Sequence, residues 1–400
     1  MSVISSIDPA GPSGYSMFNN ITSFVRESRM LPVIVVLALI WAYFAWASPL
    51  FLSPRNLSNL SLQTVVTAIV ALAIAITLIA GEIDFSVVAN GAVSATVSST
   101  LAVVYQVDPS VSVLCGLLTG GLIGFLQGAV VTFLQAPSFI VTLGGSIVLQ
   151  GVLLILLPSG QTLISLMGNP LGTIATTYLP WEIGAAFTAL IAAWVLLLKF
   201  TTWRSRRQFG DARTFFGSVG FPVLIVILAG AVVTGIFQLY RGVPLIVAGL
   251  LLLTSVLTYL LRQTRFGLHL YAIGNNAEAA RRSGISVKSM KLAAFTVGGM
   301  LAAFGGIVAA MRVLGVSTDS GNSSLMMEAV AAAVIGGVSL FGGRGSAWAP
   351  LIGALIMGSI TNGLILIDAS TPVRMIIQGG ILTLAVVLDA YLARRTRSAR

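Results

Sequence analysis

The chain has 400 residues, of which 56% are hydrophobic and only 8% are charged, and its mean hydropathy is +0.98. Soluble domains carry about 25% charged residues, so this composition excludes a water-soluble globular protein. The formal net charge of +10 does not indicate nucleic-acid binding, because the basic residues lie in short clusters between apolar runs, as topology signals do. The single cysteine, Cys115, excludes a disulfide framework or a cysteine-based metal site.

Apolar runs of about 20 residues recur from Leu31 almost to the C-terminus, which is the length that a helix needs to cross a bilayer. Backbone groups in lipid must be paired within their own segment, and the runs lack the alternation of barrel strands. We therefore predict an all-α fold, a polytopic helical membrane protein. Residues 1–30 and 394–400 are predicted to be tails that flank a transmembrane domain at 31–393. The predicted spans are 31–52, 57–80, 85–105, 110–134, 138–157, 182–199, 220–239, 243–262, 291–312, 325–341, 347–367 and 371–392.

Four basic clusters set the predicted orientation, and they lie at Arg26 and Arg29, at 199–213, at 262–291 and at 394–400. Since cytoplasmic segments carry the excess of Lys and Arg, all four are assigned to the cytoplasm, and an even number of spans must separate neighbouring clusters. The predicted spans between them number six, two and four, so twelve spans with both termini in the cytoplasm satisfy this rule. The tenth span either crosses the membrane or re-enters it.

Two acidic residues, Glu82 and Asp84, lie between two apolar runs, within the polar motif 81–86. Charged groups at membrane depth are costly, and they normally face a cavity, a partner or the interface. Two interpretations are open. The motif is either an ordinary loop at the cytoplasmic face or part of a discontinuous helix beside a transport path, as transporters contain.

A second motif, at 335–346, is rich in glycine, which permits tight turns and close approach of helices. We call Gly336, Gly337, Gly342 and Gly343 the glycine signature. Both motifs end an apolar run with a glycine, pass a short polar element and begin a helix of small residues. This similarity predicts an internal duplication, such as transporter folds contain, unless it only reflects the small-residue composition of membrane helices.

Polar side chains inside the predicted spans are candidates for a translocation path. Amides can hydrogen-bond hydroxyl-rich solutes without the desolvation cost of a full charge, although they can equally join helices to each other. No chain of acids, lysines or histidines runs through the spans, which weakens an ion-coupled mechanism. The path candidates are Gln63, Asn90, Gln150, Asn362 and Gln378 in the spans, together with Asp84 from the polar motif between two spans.

The polar segment 274–285 lies between long apolar runs and carries charges of both signs, which predicts a surface that binds a soluble partner. Asn275 and Asn276 suit a turn or a helix N-cap, and Gly284 ends the short helix that follows. The alternative is a solvated amphipathic linker without a partner. The residues assigned to this docking segment are Gly274, Asn275, Asn276, Glu278, Ala279, Ala280, Arg281, Arg282 and Gly284.

Four motifs resemble landmarks of the permease subunits of bacterial ABC sugar importers, the ribose, xylose, arabinose and galactoside group, and they occur in the family's order. They read GEIDFSV, PSFIVTLGGSIVLQG, TRFGLHLYAIGNNAEAARRSGISV and GGVSLFGGRGS. The resemblance covers residues 57–393, and the additional hydrophobic pair at 220–262 is most similar to the xylose-type permeases. The chain departs from the family at 88–90, where a glycine is common, and in the unusually basic segment 199–213.

This resemblance implies a type II importer permease that acts as a homodimer in the bacterial inner membrane and forms the path for a monosaccharide, xylose or another pentose. It also implies two protein partners. A cytoplasmic ABC ATPase with two nucleotide-binding domains would bind the coupling loop 263–290, and a periplasmic sugar-binding protein would deliver the sugar. The ATPase would hold ATP and Mg²⁺, and this chain has no G-x-x-x-x-G-K-[ST] phosphate loop, so we expect neither a cofactor nor enzymatic activity in it.

The outer loop 158–181 is interrupted by prolines and is predicted to contain a short surface helix. It either spaces the helices or contacts the external binding protein.

Two other classes of protein compete with the importer interpretation. A stand-alone, ion-coupled secondary transporter would also fit twelve spans, with Glu328 as the candidate coupling acid. An integral-membrane enzyme would need a cluster of His, Cys or paired acids, which the sequence does not contain. Ionophore-sensitive uptake by this chain alone would distinguish the secondary transporter from an ATP-driven importer.

Overall fold

The computed structural model describes residues 31–158, 162–208, 215–321 and 323–398, most of which lie in fifteen α-helices. The predicted N-terminal tail, 1–30, lies outside the described residues. The helices are α1 (Leu31–Ala47), α2 (Pro54–Ile79), α3 (Val87–Val103), α4 (Pro109–Phe133), α5 (Ser138–Leu156), α6 (Pro170–Thr176), α7 (Trp181–Gln208), α8 (Phe221–Gln238), α9 (Leu245–Gln263), α10 (Arg265–Asn275), α11 (Ala277–Arg282), α12 (Val287–Val313), α13 (Ser323–Ile335), α14 (Trp348–Leu366) and α15 (Thr371–Ser398). The strands are β1 (Leu163–Ser165), β2 (Tyr178–Leu179), β3 (Val243–Pro244) and β4 (Gly315–Ser317), and a π-helical turn, Phe216–Gly220, precedes α8.

Each of the twelve predicted spans falls on one helix. Eight of these helices are long and apolar enough to cross a bilayer, namely α2, α4, α5, α7, α8 with its preceding turn, α9, α12 and α14. The other four are shorter apolar helices, α1, α3, α13 and the first part of α15. The prediction of a polytopic helical membrane protein is confirmed, whereas the count of twelve crossings and the internal duplication stay predictions.

Helix α13 is shorter than its predicted span, 325–341, because it ends at Ile335. The glycines that follow stop it, and Gly337 has a φ of +107°, in the left-handed region that favours glycine. Residues 336–347 form a non-helical segment that leads to α14. We call it the second connector, and the segment 80–86 between α2 and α3 the first connector.

Helix α7 is longer than predicted. The basic segment 199–213 begins as helix rather than as a loop, since α7 continues through Lys199 to Gln208. Lys, Arg and Gln are good helix formers, so the helix does not need to end where its apolar part ends. Residues 209–214 lie outside the described residues. Helix α15 likewise continues to Ser398, into the predicted tail 394–400.

Two short antiparallel ribbons depart from the all-α prediction. Strand β1 pairs with β4, and β2 pairs with β3. Strands β1 and β2 belong to the predicted outer loop 158–181, which also contains the predicted short helix, α6. Pairing with β3 and β4 satisfies backbone groups that a free loop would leave to water.

Helices α2 and α12 form the centre of the bundle. Every residue of α2 from Thr64 to Ile79 is buried, and α12 packs against α2, α3 and α4. Helices α3 and α12 meet so closely that a Cβ at Gly306 would overlap the carbonyl group of Gly91. Small residues at such crossings let two backbones approach, which is a common way for membrane helices to associate.

Candidate functional site

Three of the sequence motifs meet at one point, at the end of α10. Gly274 lies against Gly81. A Cβ atom built on Gly81 would be 3.6 Å from the Cα atom of Gly274. On the other side, a Cβ at Gly342 would lie 2.7 Å from the Gly274 carbonyl oxygen. The backbone N–H of Gly343 donates a hydrogen bond of 3.0 Å to the carbonyl oxygen of Ile79, the last residue of α2. These five residues pack into one contact region, which we call the junction.

The junction leaves no room for a side chain at Gly274. A Cβ there would overlap the carbonyl oxygen of Ile79 and would lie 2.5 Å from the amide nitrogen of Gly343. Gly342 and Gly343 have φ values of +83° and +69°, which other L-residues rarely adopt. Glycine is therefore required at the junction both by the available space and by the backbone conformation.

Two side chains of α10 bind the second connector beside the junction. The Tyr271 hydroxyl donates to the carbonyl oxygen of Gly345 over 2.8 Å, and Asn275 Nδ2 donates to that of Gly343 over 3.3 Å. Burial raises the pKa of the Tyr271 hydroxyl, which therefore stays protonated and remains a donor. We expect α10 and the second connector to move together.

Helix α11 carries the docking segment. Asn276 caps it, since its Oδ1 accepts a hydrogen bond of 3.0 Å from the Ala279 amide. Gly284, with a φ of +83°, follows its end, as a left-handed glycine commonly does. Ala280 is buried, so one face of α11 rests on the protein. The predicted short helix with an asparagine cap and a glycine end is present.

The charged face of α11 is exposed. Glu278 accepts hydrogen bonds from Arg281 and Arg282 at 3.0 and 3.3 Å, and the side chains of Glu278, Arg281 and Arg282 are 53%, 71% and 78% exposed. Hydrogen bonding, first of all from Arg281, holds the pKa of Glu278 below its ordinary value. Ion pairs this exposed add little to folding stability, which leaves their charges available to a partner.

An ion pair joins the first connector to the beginning of α12. Glu82 Oε1 bonds to Nζ of Lys291, and the two side chains are only 11% and 26% exposed. Partly buried charges are screened less than surface charges, and removal of one partner leaves the other uncompensated. Helix α12 begins just after the docking segment. The ion pair therefore links the helix that follows the docking segment to the first connector, which follows α2.

Hydroxyl groups of α5 hold the backbone of the first connector. The amides of Ile83 and Phe85 donate to the side chains of Ser138 and Thr142, over 3.2 and 3.0 Å. Ser138 and Thr142 are one helical turn apart, so the connector runs alongside the first turn of α5. Its extended backbone is thus hydrogen-bonded inside the protein.

Helix α3 begins well inside the bundle. Gly91, in the first turns of α3, packs on Gly306 of α12, which lies 15 residues beyond Lys291. At 1.5 Å per residue, Gly306 lies about 22 Å along α12 from Lys291, the partner of Glu82. The first connector covers much of that distance without helical structure. The first connector therefore enters the bundle as non-helical backbone before α3 begins, and its place beside a transport path stays a prediction.

The buried acid Asp84 binds Ser86, which in turn contacts α4. Asp84 is 2% exposed, and no ion pair among the described residues involves it. Its Oδ1 accepts a hydrogen bond of 2.8 Å from the Ser86 amide. The Ser86 hydroxyl lies 2.6 Å from both Asp84 Oδ1 and Gln127 Oε1. These bonds offset the cost of burying the polar groups of the connector.

The two asparagines among the path candidates join helices. Asn90 Nδ2 donates to the carbonyl oxygen of Gly120 in α4 over 3.1 Å. Asn362 in α14 and Asn56 in α2 exchange amide hydrogen bonds of 2.9 and 3.1 Å. Both asparagines are buried, so their amides are paired with protein in this conformation.

The three glutamines among the path candidates differ in their surroundings. Gln378 Nε2 donates to the Thr361 hydroxyl over 2.9 Å, whereas Gln63 is half-buried and Gln150 is exposed. Within the described part of the chain, no hydrogen bond links any two of the six path candidates. Their role in a path stays a prediction.

Four residues of this region have roles that were not predicted from the sequence, namely Lys291, Ser138, Thr142 and Tyr271. The spacing of four residues between Ser138 and Thr142 puts both hydroxyls on one face of a helix, and that spacing is the available signal. No local pattern pairs Lys291 with Glu82, which is 209 residues away.

Comparison with known proteins supports a transport role. Over residues 56–386 the chain matches the family described as branched-chain amino acid transport system / permease component. It is 35% identical over 382 residues to the xylose transport system permease protein XylH of Escherichia coli strain K12, which covers 92% of this chain and 94% of that protein. The protein of the same name in Haemophilus influenzae is 33% identical over 365 residues, 89% of this chain and 95% of the relative.

A relative named for a different sugar is similar over a comparable length of the chain. The ribose import permease protein RbsC of Escherichia coli strain K12 is 29% identical over 365 residues, 91% of this chain and 94% of that protein. No solved structure matches the chain significantly.

Proposed function

We propose that this chain, which belongs to the family of ABC sugar permeases, forms the membrane path of an ATP-driven importer for a monosaccharide, xylose or another pentose. The cargo is inferred from relatives named for xylose and for ribose, which are both pentoses. The chain is a transport component, and the ATP and Mg²⁺ of the importer would be bound by a separate ATPase.

We assign the chain twelve crossings of the bacterial inner membrane, with both termini in the cytoplasm. The four shorter apolar helices, added to the eight long ones, make twelve. Helices α3 and α13 are too short to cross the bilayer alone, and the first and second connectors would cross the remaining thickness. The basic clusters favour a cytoplasmic docking segment. There the ATPase, with its two nucleotide-binding domains, would bind, while a periplasmic sugar-binding protein and a second copy of the chain complete the importer.

The single observation that carries this proposal is the junction. Helix α11 is exposed, yet its neighbour Gly274 is packed against the end of α2 and the second connector. Closure of the ATPase domains on ATP would move α11, and the junction would pass that movement to α2 and α14. A link of this kind shifts a two-state equilibrium between outward-open and inward-open helices, which is alternating access.

Uptake into proteoliposomes that hold the full chain, the ATPase and the binding protein tests the proposal. We expect accumulation of radiolabelled xylose or ribose that requires ATP and the binding protein and that is insensitive to ionophores. Ionophore-sensitive uptake by the chain alone would support the alternative, a secondary transporter. Glu328, which accepts a hydrogen bond of 3.3 Å from Thr67, would then be the acid to mutate.

Exchanging the charges of Glu82 and Lys291 tests their ion pair. Glu82→Lys and Lys291→Glu are each expected to lower uptake about tenfold, because each places two like charges in a half-buried site. The double exchange restores the attraction and should recover most of the uptake in the same proteoliposomes. Arg55→Glu, at an exposed position outside the coupling loop, controls for the change of net charge. If the double exchange is no more active than either single variant, the Glu82–Lys291 ion pair does not contribute to coupling.

Asp84→Ala is expected to reduce uptake more than assembly. The substitution leaves the buried Ser86 amide without its acceptor, which costs about 1–3 kcal/mol, and uptake should fall about tenfold. Asp84→Asn keeps an acceptor oxygen and should retain most activity. ATPase co-purification, measured in parallel, should stay near the wild-type amount.

The control for Asp84 is Asp108→Ala. Asp108 makes the same bond to an amide, that of Ser110 at 2.8 Å, but at an exposed helix N-cap. If Asp84→Ala takes up sugar at the wild-type rate, Asp84 is an ordinary loop residue without a role in transport.

A further inference from the structure

The end of α7 carries a basic and aromatic surface that the proposed function does not use. Lys199, Trp203 and Arg207 follow one another at intervals of four residues, so they form one stripe along the helix. Phe200 and Arg204 form the neighbouring stripe. We call these five residues the basic end of α7.

The length of α7 brings this surface to the level of the lipid headgroups. The helix has 28 residues and is about 42 Å long, whereas the hydrocarbon of a bilayer is about 30 Å thick. Trp181 and Trp203 are 22 residues apart, which corresponds to about 33 Å along the axis. Tryptophans at the two ends of a span mark the two membrane interfaces. The cations around Trp203 therefore lie in the headgroup layer.

Ring contacts hold the basic end of α7 in place. The ring centroids of Trp203 and Phe215, which precedes α8, are 5.2 Å apart, and those of Phe200 and Trp203 are 6.0 Å apart. The guanidinium group of Arg207 lies over the Trp203 ring at 5.1 Å. Because these contacts restrict the side chains of Phe200, Trp203 and Arg207, a ligand that binds them loses less conformational entropy.

The positive charge of this surface has no counterpart in the described part of the chain. Lys199, Arg204 and Arg207 are exposed, and none of them belongs to an ion pair among the described residues. The only acid of α7, Glu182, lies in its first turn, at the opposite end of the helix. A cluster of cations beside a membrane span attracts anionic lipid.

We propose that the basic end of α7 binds the headgroups of anionic phospholipids in the leaflet where α7 ends. Arginine suits a phosphate group because its guanidinium donates two parallel hydrogen bonds, and Trp203 anchors the same level of the membrane. The site lies on other elements than the docking segment, and it does not depend on the proposed transport function. It gives the unusually basic segment a role in fixing the α7–α8 hairpin in the bilayer.

Native mass spectrometry of the purified full chain tests this site, with dioleoylphosphatidylglycerol as the anionic probe and dioleoylphosphatidylcholine as the zwitterionic comparison. We expect the wild-type chain to prefer phosphatidylglycerol about tenfold. The triple variant Lys199→Gln, Arg204→Gln and Arg207→Gln should lose this preference. The charge-conserving variant Lys199→Arg, Arg204→Lys and Arg207→Lys should keep most of it, which separates lost charge from lost folding.

A matched control removes the same number of exposed cations elsewhere, by Arg262→Gln, Arg265→Gln and Lys288→Gln, and should keep the preference. Equal phosphatidylglycerol binding by the two neutralised variants would overturn the site. Displacement of the lipid by millimolar inorganic phosphate would also overturn it, because it would identify a site for free anions. Binding of an acidic soluble protein to these cations in place of lipid would likewise overturn the site.

Discussion

Gly274→Ala is expected to reduce ATP-driven uptake below about a tenth of the wild-type rate, because the junction has no space for the added methyl group. The new Cβ would overlap the carbonyl oxygen of Ile79 and would lie 2.5 Å from the amide nitrogen of Gly343. Both are backbone atoms, so neither can rotate away. Overpacking typically costs about 1–3 kcal/mol, and here the cost falls on the contact through which α11 would act.

Two glycines provide matched controls for this substitution. A Cβ at Gly144 in α5 or at Gly249 in α9 meets no atom within 4 Å, and Ala is the better helix former. Gly144→Ala and Gly249→Ala should therefore transport at close to the wild-type rate. The amount of chain in the membrane is measured for all three variants. Wild-type uptake by Gly274→Ala would contradict a role of the junction in coupling, and failure to insert would assign Gly274 to folding.

Glu278→Arg and Arg281→Glu are each expected to abolish association with the ATPase while membrane insertion stays intact. Each reverses a charge on the exposed face of α11, so a partner surface with complementary charges would meet a like charge. The helix itself should persist, because the Asn276 cap and the buried Ala280 are unchanged. The measurement is the ratio of ATPase to tagged chain after affinity purification.

Arg55→Glu is the control for these charge reversals. Arg55 is also exposed, but it begins α2 at the end that is predicted to face the periplasm, far from any cytoplasmic partner. Its ATPase ratio should equal that of the wild type. Normal ATPase ratios for both Glu278→Arg and Arg281→Glu would contradict the docking assignment.

The helices could be predicted from the sequence because hydropathy is a local property. Each long apolar run forms a helix, and the Asn276 cap and Gly284 bound α11 as their chemistry requires. Helix ends were less predictable. Apolar residues continue past Ile335, but the glycines there stop α13, whereas the charges beyond Lys199 do not stop α7.

The junction could not be predicted, because it is made by residues distant in the chain. The sequence singles out Gly81, Gly274 and Gly342 as members of separate motifs, and nothing local indicates that they touch. The same is true of the Glu82–Lys291 ion pair. The role of the amides could not be predicted for a different reason. The sequence does not distinguish an asparagine that lines a path from one that joins two helices. The partner of Asn362 is evident only in the structure.

The most direct test of the ATP-driven importer is purification of the tagged full chain in mild detergent, with mass spectrometry of the proteins that remain bound. We predict a stoichiometric cytoplasmic protein that contains two phosphate-loop ATPase domains. A chain that purifies without any ATPase and transports alone in proteoliposomes under an ion gradient would contradict the ATP-driven importer.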